Sequence, residues 1–191
     1  MKTEKILTVW TLNLSLGLVL GWFFHIVISH AWTSEHDYTL TMPQFIMHNI
    51  SLIGCALINL LFMDRATKYL FGKGLVQYWP FYLIVPTFLF WLGFFLKAVP
   101  LDALLWFLSV GLFNGLFIKR ELSLSSNNWV WWSTLSGLVG FVVGAVILFP
   151  LDDYLTSLQG LTAHIVLFTS LGIAAGIPMA FFGGWMLRRS V

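Results

Sequence analysis

Residues 101–149 read LDALLWFLSVGLFNGLFIKR, then ELSLSSNN, then WVWWSTLSGLVGFVVGAVILF. Two apolar runs, Leu101–Ile118 and Trp129–Phe149, flank a short polar linker that opens on Lys119-Arg120. About 20 apolar residues suffice to cross the hydrocarbon of a bilayer as a helix. The passage therefore reads as a transmembrane hairpin whose basic turn stays on one side and whose tryptophans sit at the interface.

Working outward gives four more runs. The first is residues 6–31, the second 44–63, opened by Pro43 and closed by Asp64-Arg65, and the third 79–96. The last is 161–187, closed by Arg188-Arg189. With 101–118 and 129–149 these make six spans in a single domain, so the expected fold class is all-α, a polytopic membrane bundle. Spans three and four are separated only by residues around Lys97 and Pro100, which demands a tight turn. The first run follows Lys2 and Lys5 and is longer than the 7–15 apolar residues typical of a signal peptide, so it is expected to be retained as a helix.

Composition agrees. Charged residues make up 9% of the chain, against about 25% in a soluble domain. Mean hydropathy is +0.87. A globule with so few charges could not clothe itself for water, so lipid is the expected solvent and first partner. No basic arm or aromatic-basic patch suggests nucleic acid.

The charges that exist are sorted. With six spans both termini share a side, and that side holds Lys2, Lys5, Arg65, Lys68, Lys73, Lys119, Arg120, Arg188 and Arg189, whereas the other holds only Lys97. The positive-inside rule then puts both termini in the cytoplasm, in a bacterial inner or a thylakoid membrane. Glu35, Asp37, Asp102, Asp152 and Asp153 fall on the opposite side.

Spans two, four and six all end in a basic stop after a small residue, and tryptophan opens the spans that follow the first two of these stops. This reads either as three repeated helical hairpins or as the ordinary dress of any helix reaching the cytoplasm. The motif Gly111-x-x-x-Gly115-Leu116-Phe117-Ile118-Lys119-Arg120, followed by Trp129-Val130-Trp131-Trp132, and the ending Gly184-Trp185-Met186-Leu187-Arg188-Arg189 resemble a group of uncharacterised cyanobacterial and Chloroflexi-type membrane proteins. The resemblance covers mainly residues 108–191. It implies a Gly-rich helical membrane fold and transfers no activity.

Glycines recur four apart on one helix face: Gly17 and Gly21, Gly111 and Gly115, Gly140 and Gly144 with Gly137, and Gly172 and Gly176. In lipid, close backbone approach at small residues drives helix association. These faces are expected to pack helices, within the chain or against another subunit. No Asp, Glu, Lys or Arg falls centrally in any span, which argues against a proton pump or a voltage sensor. Asn13, Asn59 and Asn114 are the deep polar side chains, expected to make interhelical hydrogen bonds. Cys55 is the only cysteine and is expected to act as a small buried hydrophobe. No Walker A, HExxH or GxSxG motif occurs.

One constellation carries chemistry. His25, His48 and His164 fall near the non-cytoplasmic ends of their spans and are expected to share a level. Imidazoles from facing helices could hold haem or chlorophyll, or copper or zinc. Three functions remain open on the sequence. The first is a non-catalytic membrane subunit or scaffold, an accessory component of a larger bioenergetic complex with other membrane subunits as partners. The second is a small substrate-binding component of a transporter, similar in size and topology to the substrate-capturing subunits of energy-coupling-factor transporters. The third is a haem- or chlorophyll-binding protein using the histidines.

Overall fold

Each apolar run, lacking internal hydrogen-bond partners other than its own backbone, forms a helix. The computed structural model describes residues 3–30, 42–95, 101–123, 128–148, 150 and 160–190. The helices are α1 (Thr3–His30), α2 (Met42–Phe71), α3 (Trp79–Phe95), α4 (Leu101–Glu121), α5 (Asn128–Leu148) and α6 (Gly160–Ser190), with a 3-10 turn, Val76–Tyr78, between α2 and α3. There is no strand among the described residues. Three helices contain stretches long and apolar enough to cross a membrane: Glu4–His25, Phe45–Phe71 and Asn128–Ile147. Helices α3 and α6 run on through Pro86 and Pro178.

The sequence suggests that the second run stops at Asp64-Arg65, but α2 continues to Phe71. Two features carry it onward. Asp64 pairs with Lys68 one turn later, at 2.7 Å, and the Thr67 hydroxyl donates back to the Met63 carbonyl at 2.9 Å. Gly72 then ends the helix with φ +69, a left-handed conformation that favours glycine, and its N–H bonds the Lys68 carbonyl at 2.9 Å.

Neighbours in sequence are neighbours in space, all antiparallel, and α6 closes onto α1. The registers show this. Gly17 faces Asn59 and Phe62, while Gly21 faces Cys55. Gly111 lies on Ser133 and Gly115 on Val130; Gly137 lies on Phe107; Gly140 and Gly144 lie on Ala175. Gly172 and Gly176 meet α1 at Val19 and Leu18. Every glycine singled out by the sequence thus packs a helix of the same chain. The result is an up-and-down ring of six helices with both termini at one end. That end also gathers Lys5 over the Tyr69 ring, Arg120 over Tyr78 and Arg189 over Trp185.

Aromatic side chains fill the ring. On α1, Ile6, Trp10, Leu14, Leu18, Trp22 and His25 are buried at steps of about four residues, while Leu12, Leu16, Leu20 and Phe23 point outward. Trp10 crosses to Trp129 on α5 with ring centroids 6.3 Å apart, and Trp22 reaches Trp106 on α4 at 5.2 Å. These cross-ring contacts hold α1 against helices it does not adjoin in sequence.

A β-carbon at Gly140 would sit 2.6 Å from the Ala175 carbonyl oxygen, whereas at Gly183 the nearest atom would be 3.4 Å away. Gly140→Ala should therefore destabilise by about 1–3 kcal/mol through forced separation of α5 and α6, and Gly183→Ala should be nearly neutral. Thermal melts of the two variants in the same detergent check this ordering.

Candidate functional site

The helix registers create three polar zones at different depths. Farthest from the termini, α1, α2 and α3 meet. His25 is buried, and its Nδ1 lies 2.9 Å from Ser51 Oγ. The Ser51 hydroxyl also lies 2.7 Å from the His48 carbonyl oxygen. A hydroxyl has one proton to give. Given to that carbonyl, it leaves Ser51 to accept from His25 Nδ1–H; given to His25, it makes Nδ1 the acceptor. The His25 and His48 rings meet edge to face with centroids 4.9 Å apart. His48 in turn touches Trp91 at 5.3 Å, and Trp91 Nε1 donates to Asn49 Oδ1 at 2.8 Å.

The structure thus brings two of the three sequence-predicted histidines together. The side chain of His164 lies outside the described residues. By register its backbone stands farther out than His25: Gly172 abuts Val19 and Trp22, and His164 is eight residues beyond it, about 12 Å along the helix. His25 is itself three to six residues beyond those contacts, so the two backbones differ by about one turn along the bundle. A metal in the plane of a macrocycle holds two axial imidazole nitrogens about 4 Å apart, one on each face. Here the rings are already in contact, wedged between Trp22 and Trp91. Among the described residues no group of three His, Cys, Asp or Glu side chains could hold a metal ion.

At the opposite end, Asp64 organises the α2–α3 connection. Its Oδ1 accepts the backbone N–H groups of Leu75 at 2.5 Å and Val76 at 3.0 Å, and its Oδ2 pairs with Lys68. Glu121, at the end of α4, accepts from Gln77 Nε2 at 2.6 Å and from the Tyr78 hydroxyl. Burial and this carboxylate contact push the Tyr78 phenol above its ordinary pKa. Both carboxylates thus fix the linker between α2 and α3.

Between the two ends lies the third zone. Asn59 on α2, Tyr82 on α3 and Asn114 on α4 are 0%, 0% and 2% exposed. Both side-chain polar atoms of Asn59, the Tyr82 hydroxyl and Asn114 Oδ1 have no hydrogen-bond partner among the described residues. The interhelical bonds expected of the asparagines are absent at these atoms, and Asn13 bonds only its own helix, at the Val9 carbonyl. The indole N–H groups of Trp10 and Trp129 are buried and unpartnered as well.

Tyr82 was not evident from the sequence. The available signal was its place two residues from outward-facing Ile84, which turns it to the opposite face of α3. Compared with protein-family models, curated proteins and solved structures, the chain matches none.

Asp64→Ala should release the linker: two backbone N–H bonds to a charged acceptor are lost, at a cost of about 1.5–3 kcal/mol. Limited trypsinolysis should then cut at Lys73 markedly faster than in the parent chain, while Lys68→Ala, which leaves the N–H bonds in place, should change the rate little.

Proposed function

We propose that the protein is a non-catalytic, six-span membrane protein with cytoplasmic termini, and that it is a ligand-binding component working beside other membrane subunits. The observation that carries this reading is the inverted distribution of polarity. Outward-facing side chains such as Leu57, Leu61, Ile84, Phe88, Leu112 and Leu116 are large and apolar, whereas hydrogen-bonding groups without partners face the inside of the ring. Each such buried group costs about 1–3 kcal/mol if it stays unmet, and hydrocarbon cannot meet it. A bundle that served only as packing would be more stable with leucine and phenylalanine in those places. Groups held ready and unmet suit a protein that receives a polar guest.

The membrane orientation draws support from the cations gathered at the terminal end of the bundle and from the alternation of six antiparallel helices. The scaffold reading fits the same outer surface but leaves the interior atoms without a purpose. The pigment reading, taken as a macrocycle clamped between His25 and His48, would need the two rings to part from their present edge-to-face contact.

Two measurements test the proposal. Single cysteines at positions 73 and 152 should react with a membrane-impermeant maleimide from opposite sides, with little background from Cys55, which is buried. The small-molecule fraction of a cell extract should raise the melting temperature of the purified chain, because a ligand that binds only the folded state stabilises it. Labelling of both positions from one side would overturn the topology, and an inert extract would count against binding.

A further inference from the structure

The α2–α3 seam differs from most others in what closes it. Glycine brings α1 to α2, α4 to α5, α5 to α6 and α6 to α1. Among the described residues no glycine of α2 or α3 lies against the other helix. Bulky side chains meet there instead: Trp91 bonds Asn49, and the Trp91 and Phe45 rings lie 4.8 Å apart. Such bulk leaves space beside it, a groove of about 600 Å³ whose walls include Ile53, Leu83, Ile84 and Phe88. Ile53, Ile84 and Phe88 are exposed, so the groove opens on the outer surface of the ring.

Its dimensions select the occupant. Trp79 and Leu92 mark its ends on α3, about 20 Å apart along the helix. One leaflet of a bilayer has about 15 Å of hydrocarbon. Spread over the length of the groove, the volume gives a channel about 6 Å wide. A helix with its side chains is about 10–12 Å across and too broad to lie in it. A single unbranched acyl chain fits.

The end at Trp79 supplies the place for a head group. Trp79 is exposed and directly follows the α2–α3 linker, and tryptophan favours the head-group level of a bilayer. Asp64 accepts from the Leu75 and Val76 amides of that linker, and Lys68 Nζ lies 2.7 Å from the same carboxylate. The ammonium is thereby held beside the linker, a few residues from Trp79. Ile53, Leu57 and Leu61 lead the exposed rim of α2 toward it in helical steps. The Lys68 side chain is 59% exposed. An ammonium has three donors, and Asp64 takes one. Lys73 is exposed in the linker itself. With Arg65, this end of α2 and its linker carry three cations and one carboxylate. Glu121, which also bonds the linker, is outnumbered on α4 by Lys119 and Arg120.

We infer that the groove holds one acyl chain of an anionic phospholipid, whose phosphate lies at Lys68 and Lys73. The polar head stays outside the apolar walls, and cations beside a helix pair are what an anionic head group recognises. The lipid belongs to the leaflet at the terminal end of the bundle, the cytoplasmic one on the orientation proposed above. The site is separate from the unmet interior groups and does not depend on solute binding.

The test is native mass spectrometry of the full-length chain in detergent, with dioleoyl phosphatidylglycerol or dioleoyl phosphatidylcholine added at equal concentration. One phosphatidylglycerol should bind per chain, about fivefold or more tighter than phosphatidylcholine. Lys68→Gln and Lys73→Gln should each weaken phosphatidylglycerol about fivefold and leave phosphatidylcholine unchanged. Ile84→Trp, which fills the groove from an exposed position, should lose the bound lipid and melt like the parent. The two lysine variants lie on the surface and decide the matter if the tryptophan disturbs the fold.

Equal binding of the two lipids, unmoved by either lysine change, would overturn the head-group site. Full phosphatidylglycerol binding by both Ile84→Trp and Phe88→Trp would put the lipid elsewhere and overturn the groove. Palmitate bound more tightly than phosphatidylglycerol would make a free fatty acid the occupant, and a lipid-free dimer broken by Ile84→Trp would make it a second copy of the chain. Each of these results leaves the solute reading standing, because none of them touches the interior groups.

Discussion

Close approach of helix backbones at glycine is the constraint on which the rest of the structure depends. Lipid is as apolar as leucine, so burying leucine between helices gains little there; contact of backbone with backbone, and dispersion across the seam, must do that work. Gly21 brings α1 onto the Cys55 carbonyl, Gly111 brings α4 onto Ser133, and Gly140 brings α5 onto Ala175. Gly172 and Gly176 then let α6 settle on Val19 and Leu18 of α1 and close the ring. Once closed, the ring has an interior, and that interior must be filled. Indoles fill it: Trp10, Trp106 and Trp129 are among the largest fully buried side chains.

The ring is held unevenly. The α2–α3 linker is tied to α2 through Asp64 and to α4 through Glu121. At the far end α3 is tied to α2 by the Trp91–Asn49 bond. Between these ties Asn59 turns to Gly17 on α1, and Tyr82 packs on Phe117 of α4.

Much of this was legible in the sequence, and the remainder was hidden for a physical reason. The number and rough limits of the helices follow from run length and from stops such as Lys119-Arg120. The glycine faces follow from four-residue spacing. Hydropathy could not say which face of each helix turns inward, because Leu16 outside and Leu18 inside are equally apolar; in a lipid-facing bundle the usual amphipathic signal vanishes. The polar residues carried that signal instead. Asn59 and Asn114 were visible as deep polar positions, but whether an asparagine bonds another helix depends on what lies opposite, and opposite Asn59 is Gly17, which has no side chain to answer it. The His25–His48 contact required the α1–α2 register, which Gly21 and Cys55 set. The extension of α2 past Asp64 required knowing that its carboxylate would find Lys68 and two linker amides.

The most obvious concavity is a groove of about 600 Å³ on the outer side of the α2–α3 seam, and it is the wrong place to look for a polar ligand. Its walls are Phe45, Ile53, Leu83, Ile84 and Phe88, and its polar members are already satisfied. Asn49 accepts from Trp91, and the Thr87 hydroxyl donates to the Leu83 carbonyl at 2.6 Å. Apart from the Trp79 indole, the groove offers a polar ligand little beyond apolar wall. The interior zone differs: its amide and phenol groups are shut off from solvent and have no hydrogen-bond partner among the described residues.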